Sequence, residues 1–225
     1  MKNFLKHNII YIILYCVLLV YIASVLLNNG KVQIHQHINS YVGNEYIDLF
    51  FKYITHLGDG LFAIALVILL LFINVRQSIY ILLSYSFASI LSTILKNVVF
   101  IDNWRPGFVF QWFVREPIKL VEDVVLNMGN NSLPSGHATT AFAVFFSLVF
   151  MSKNQFLKCL FFVIAILAAF SRTYLSQHWL VDIYFGSVIG FCFSVVFYFV
   201  FYNKHYAEKY NLSIQVLVSK KNTNV

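Results

Sequence analysis

Residues 9–27 read IIYIILYCVLLVYIASVLL, nineteen residues without a charge. A helix crosses a bilayer's hydrocarbon core in about 20 apolar residues. Lipid offers the backbone no hydrogen-bond partner, so such a run must be helical. It is longer than a secretory signal core and lacks an A-x-A cleavage site, so it reads as a retained anchor. Comparable runs follow at about 59–75, 78–96, 135–151, 156–172 and 177–202. The chain of 225 residues is 60% hydrophobic and only 11% charged, with a mean hydropathy of +0.73. A soluble domain has about a quarter of its residues charged. The expectation is an all-α bundle of six transmembrane helices, forming one domain over 1–225. Its tail, about 205–225, is expected to be cytoplasmic, and its end, VSKKNTNV, reads as disordered.

Charge gives the bundle a direction. Lys2, Lys6, Arg76, Lys153, Lys158, Lys204, Lys209, Lys220 and Lys221 fall on one side of these spans, against one acid, Glu208. The other side mixes Lys31, Lys52, Lys96, Arg105, Arg115, Lys119 and Arg172 with the remaining acids. Basic loops stay cytoplasmic. Both termini are therefore expected inside, in a bacterial inner membrane, with the mixed side facing outward. The net charge of +7 then reflects membrane anchors, and no nucleic-acid partner is expected. Cys16, Cys159 and Cys192 all lie within apolar runs and read as core or lipid-facing residues. Residues 28–58, with His35 and His37, read as a solvated outer loop. Residues 97–133 form a long outer loop whose opening, FIDNWRPGFVFQWFV, is aromatic enough to sit at the membrane interface.

The polar residues at the outer span ends converge. Lys96 closes the third span, Arg105 and Pro106 follow it, and Pro134-Ser135-Gly136-His137 opens the fourth. Arg172 closes the fifth, and His178 and Asp182 open the sixth. A helix start offers free N–H groups to an anion. Pro suits the first turn, Gly136 lets backbone approach a ligand, and Ser135 adds a hydroxyl. A plain helix cap beside a solvated histidine would read the same way. His178 and Asp182 are four apart, so on a helix they would share a face, with Ser176 as N-cap. A carboxylate on one ring nitrogen leaves the other free to attack. Arg172 offers a planar fork of donors to phosphate. Together these groups suit a tetrahedral dianion, with His178 as nucleophile and His137 as the acid that protonates the departing oxygen. A metal held by His137, His178 and Asp182 is the competing set. Three neighbouring cations would repel it, so neither metal nor other cofactor is expected.

These residues resemble the motifs of the type 2 phosphatidic acid phosphatases, an integral-membrane group within the vanadium haloperoxidase superfamily. The P-S-G-H motif is complete at 134–137, and S-R-x5-H-x3-D is complete from Ser171 to Asp182. The K-x6-R-P motif becomes Lys96, eight residues, then Arg105-Pro106, two residues longer than the pattern. The resemblance covers about 90–190. It implies a six-span bundle, metal-independent hydrolysis of a phosphate ester or pyrophosphate, and the roles above for His178, His137 and Asp182. It also implies phosphate contacts from Arg172, Arg105, Lys96, Ser135 and Gly136. The two extra residues put Lys96 in question: a looser loop could absorb them, or Lys96 could serve as an anchor alone. The partner implied is a membrane lipid phosphate: undecaprenyl pyrophosphate, phosphatidic acid, phosphatidylglycerol phosphate or a lipid A phosphate. Transfer to an acceptor lipid would use the same residues. An anion transporter would instead place charge at the midplane, where this sequence has almost none. Oligomeric state is not legible.

Overall fold

A computed structural model describes residues 2–202 and 211–216. Among these residues the fold is all helical, with one isolated bridge between Asn103 and Asn131. The helices are α1 (Lys2–Asn28), α2 (Lys31–Asn39), α3 (Glu45–Ile54), α4 (Gly60–Ile73), α5 (Val75–Ile94), α6 (Pro106–Val109), α7 (Gly136–Met151), α8 (Gln155–Tyr174) and α9 (Leu180–Tyr202). Four stretches are long and apolar enough to cross a membrane: Phe4–Asn28, Val75–Val99, Gln155–Tyr174 and Leu180–Phe201. A fifth is bent by 58° where Glu45–Gly58 meets Gly60–Ile73.

α7 is the axis of the bundle. Its 16 residues extend about 24 Å, short of a full hydrocarbon core. It need not face lipid, because α5, α8 and α9 pack around it and twelve of its residues are buried. Two glycines let α9 lie against it. A Cβ on Gly190 would stand 2.4 Å from the Thr139 carbonyl oxygen and 2.7 Å from the Ala143 nitrogen. One on Gly186 would stand 2.6 Å from the Ser135 carbonyl oxygen. Glycines four apart are a common way for membrane helices to approach closely. Phe146 and Phe150 pack against Phe191 of α9, and Phe150 also meets Tyr198.

α1 is mostly exposed along its length and is pinned by polar contacts. The buried Lys158 donates to the His7 carbonyl (2.7 Å) and to Asn8 Oδ1 (2.6 Å). The Tyr15 hydroxyl pairs with that of Ser187 at 2.9 Å. The three cysteines are exposed on their helices, the lipid-facing alternative of the sequence reading.

Residues 28–58 do not form a solvated loop. They fold as α2, α3 and a 3-10 turn, Thr55–Gly58. His37 is exposed as expected, but His35 is 1% exposed, between the Phe110 and Trp179 rings. Residues 115–129 cross over these short helices as a strap. Asn39 and Lys119 exchange two 2.8 Å bonds, and Lys52 pairs with Asp123 at 2.9 Å. The tail reading for 218–225 lies outside the described residues.

Gly190→Leu should lower the thermal midpoint of the purified protein by several degrees, since overpacking costs about 1–3 kcal/mol. Gly30→Ala, whose new methyl meets nothing within 4 Å, should leave it within about one degree of the parent. Equal effects would contradict the close α7–α9 crossing.

Candidate active site

The third motif is built around the end of α8. The Gln177 N–H donates to the Arg172 carbonyl (2.9 Å), and the Ser176 N–H donates to the Thr173 carbonyl (3.1 Å). This pair of bonds is a Schellman motif, which closes a helix through a left-handed residue. Ser176 is that residue, at φ 55°, a conformation usually left to glycine. So Ser176 is not the N-cap of α9. Its hydroxyl instead pairs with His35 Nε2 at 3.1 Å, so α2 supports the strained turn. The His178 N–H also reaches the Arg172 carbonyl, at 3.1 Å. The five-residue spacing between arginine and histidine is the length this turn needs.

His178 therefore precedes α9 rather than lying on it, and Asp182 reaches back to it. Asp182 Oδ2 stands 3.2 Å from His178 Nδ1 and accepts the Trp179 N–H at 2.9 Å. The second bond is half of a capping box, from the third helical position to the cap residue. Asp182 also accepts from the Ser132 hydroxyl, and its carbonyl accepts the Ser135 N–H at 3.0 Å. Asp182 thus ties the start of α9 to the start of α7.

The tautomer of His178 follows from its other neighbour. Arg105 Nη1 lies 3.1 Å from His178 Nε2. A guanidinium only donates, so Nε2 is the acceptor and Nδ1 carries the hydrogen toward Asp182. Burial holds the ring well below the ordinary histidine value, and the charges of Arg105, Lys96 and Arg172 push the same way. His178 is accordingly neutral, with its Nε2 lone pair facing the cations.

Arg105 Nη1 also donates to the Gln177 carbonyl (2.8 Å), and Arg172 Nη1 donates to Thr55 Oγ1 (2.9 Å). The Nε atoms of both arginines are buried without a hydrogen-bond partner. Buried donors in this state are rare in native proteins, and an anion between the arginines would satisfy them. Lys96 joins this group electrostatically, close enough to act on Arg105, Arg172 and Asp182. α5 ends there in a π-helical turn, Leu95–Val99, closed by Phe100 N–H to the Leu95 carbonyl (2.8 Å). A π turn takes one more residue than an α turn, which absorbs part of the longer first motif.

At the start of α7, Ser135 is the N-cap and accepts the Ala138 N–H at 3.4 Å. Its hydroxyl proton stays available to a ligand. Pro134 lies before the cap, after a cis bond from Leu133, and not in the first turn as its sequence position implied. A Cβ on Gly136 would meet nothing within 4 Å, so this backbone faces open space. His137 Nε2 lies 2.6 Å from Asp59 Oδ1.

All eight sequence-derived residues gather at one end of the bundle. Sequence reasoning missed Asp59, Thr55, Ser132 and the His35–Ser176 pair. Asp59 marked a span boundary in THLGDG, and Ser132 lies in a loop with no local signal. His35 gives the support a pH signature. Burial lowers it to about 4, below the ordinary 6.5. Its contribution to stability is then full above pH 6.5 and lost as pH falls toward 4. Thermal unfolding at pH 7 and pH 5 should show a smaller acid loss in His35→Phe than in the parent. An unchanged acid loss would contradict the buried neutral histidine.

The sequence matches the PAP2 superfamily over residues 77–206, more than half of the chain and all three motifs. Comparison with curated proteins finds no match. Among solved structures, the chain is similar to LpxE from Aquifex aeolicus, with 22% identity and a TM-score of 0.62. That alignment covers 73% of this chain and 92% of the other. It is also similar to the first transmembrane PAP2 type phosphatidylglycerolphosphate phosphatase from Bacillus subtilis, with 21% identity and a TM-score of 0.61. There the coverage is 92% and 100%. Motifs, helical fold and sequence match lead to one family: the chain belongs to the PAP2 superfamily, as an integral-membrane phosphatase.

Proposed function

We propose that the protein hydrolyses a lipid phosphate monoester or pyrophosphate through a phosphohistidine on His178, without a metal. The observation that carries this reading is the neutral Nε2 of His178, oriented by Asp182 and facing the arginines whose Nε donors lack partners. The Nε2 lone pair attacks phosphorus, and the bond from phosphorus to the lipid oxygen breaks. His137 gives its proton to that oxygen. Water then attacks phosphorus, returns a proton to His137 and frees His178, releasing inorganic phosphate.

The cations do the electrostatic work. Arg105, Arg172 and Lys96 bind the equatorial oxygens, with the free N–H groups of Gly136 and His137 and the Ser135 hydroxyl beside them. Arg105 leaves Nε2 when phosphate arrives, because a dianion is the stronger acceptor. With His137 protonated, four positive charges face two carboxylates and a phosphate dianion, so the occupied site is electrically balanced. Among the described residues, no group of three His, Cys, Asp or Glu side chains has metal-binding geometry. The donor set around the phosphate site is cationic, which suits an anion.

The same reading places six spans across the membrane: α1, α4 with its bent partner α3, α5, α7, α8 and α9. Both termini then face the cytoplasm, the site opens to the outer face, and the protein lies in a bacterial inner membrane. The lipid reaches the site from the bilayer. Exposed Val98, Val99, Ile101, Trp112 and Phe113 lie on the segments beside Lys96 and Arg105, where they can contact lipid at the interface. Substrate candidates are undecaprenyl pyrophosphate, phosphatidic acid, phosphatidylglycerol phosphate and lipid A phosphates. The two solved relatives bear the names of LpxE and of a phosphatidylglycerolphosphate phosphatase, which supports a lipid substrate.

Purified protein assayed on these lipids with chelator present should release phosphate. His178→Ala should lower the rate by at least about a thousandfold, and Lys96→Ala by at least about tenfold. Activity that needs an added divalent ion, or survives His178→Ala, would overturn the mechanism. A Lys96→Ala loss well under tenfold would remove Lys96 from the phosphate site.

A further inference from the structure

Asp59 lies outside the three motifs, at the break between the 3-10 turn and α4. It is the N-cap residue of α4, yet its side chain makes no capping bond. Aspartate is among the best capping residues, so the side chain has been diverted from a favourable local role. Its Oδ1 stands 2.6 Å from His137 Nε2, and its Oδ2 stands 3.0 Å from Nδ1 of the exposed His56. The approach depends on Gly58, where a Cβ would lie 3.0 Å from the His137 carbonyl oxygen and 3.3 Å from its Cβ.

His137 must carry a proton before it can act as an acid. Burial is the largest influence against that charge, Arg172 and Lys96 add repulsion, Asp59 is the anion that touches the ring, and His178 is a further neighbour. His56 shares the Asp59 carboxylate from the solvent side. Asp59 is therefore the group in contact that offsets the repulsion from the cations. We propose that Asp59 is the positioning residue of the general acid: it accepts the Nε2–H of His137 and leaves Nδ1 as the nitrogen that exchanges a proton with the substrate. The site then holds two carboxylate–histidine pairs of opposite sense. Asp182 takes Nδ1 of His178 and frees Nε2 to attack phosphorus. Asp59 takes Nε2 of His137 and frees Nδ1 for proton transfer. As the phosphorus–oxygen bond breaks, its electron pair stays on the lipid oxygen, which takes the Nδ1 proton. His137 is left neutral, with its Nε2 hydrogen still on Asp59. In the second step water supplies the proton that restores Nδ1–H.

This inference rests on His137 being the general acid, and the test separates the two claims. kcat/KM is measured on two phosphomonoesters: a dialkylglycerol phosphate, whose leaving oxygen needs a proton, and a nitrophenyl phosphate, whose leaving oxygen does not. The ratio between substrates does not depend on the fraction of enzyme that is folded. His137→Ala should lose about 100-fold or more on the alkyl ester and less than about tenfold on the aryl ester. Asp59→Asn should show the same selective loss, and adding it to His137→Ala should cost no more than about threefold further. Asp59→Ser, which can still cap α4, carries the same expectation should the Asn variant fail to fold. Selective loss in His137→Ala with equal or no loss in the Asp59 variants would overturn the role of Asp59 alone. Equal losses on both esters in His137→Ala would overturn the general acid, and Asp59 with it.

Discussion

Three cations converge on one buried end of the bundle, and the rest of the site is arranged to hold them there. Lys96, Arg105 and Arg172 come from the end of α5, a loop and the end of α8, and each acts electrostatically on another. Bringing like charges out of water is costly unless hydrogen bonds and opposite charges compensate. The Gln177 carbonyl and the Thr55 hydroxyl each take one arginine donor. Asp182 and Asp59 supply negative charge from the starts of α9 and α4. This compensation is incomplete, because both Nε donors stay unpartnered. In the proposed mechanism, those two donors are what a phosphate dianion would satisfy.

The same arrangement explains why the helices sit where they do. α7 can be short because its neighbours shield it, and its N-terminus is thereby brought up to the cations. The glycines of α9 permit the close crossing that lets the Asp182 carbonyl meet the Ser135 N–H. The Schellman turn then sets His178 between Asp182 and Arg105. The α7–α9 packing and the candidate site thus share the same few residues.

Much of this was legible in the sequence. The apolar runs are governed by the cost of exposing backbone to lipid, and that cost acts locally. The polar residues at their ends were legible for the same reason. The region 28–58 was harder, because α2 and α3 are short and amphipathic and look like mixed loop sequence. α3 does carry Asn44 as its cap, acids in its first turn and Lys52 in its last. His35 gave no sign of burial, since its partners Ser176, Phe110 and Trp179 are distant in the chain. Asp59 gave no sign of its role, because it falls at a span boundary in THLGDG and its partner His137 is distant in the chain. Ser176 likewise has the chemistry of a cap but serves at the opposite end, closing α8.

The central claim is that phosphorus becomes bonded to Nε2 of His178. Rapid quenching of enzyme with a phosphorus-labelled lipid phosphate, followed by peptide mapping under alkaline conditions, reads this directly. Label is expected on the peptide containing His178, stable to alkali, released by acid and absent from His178→Ala. Full turnover with no label at any quench time, or label on another residue, would contradict it.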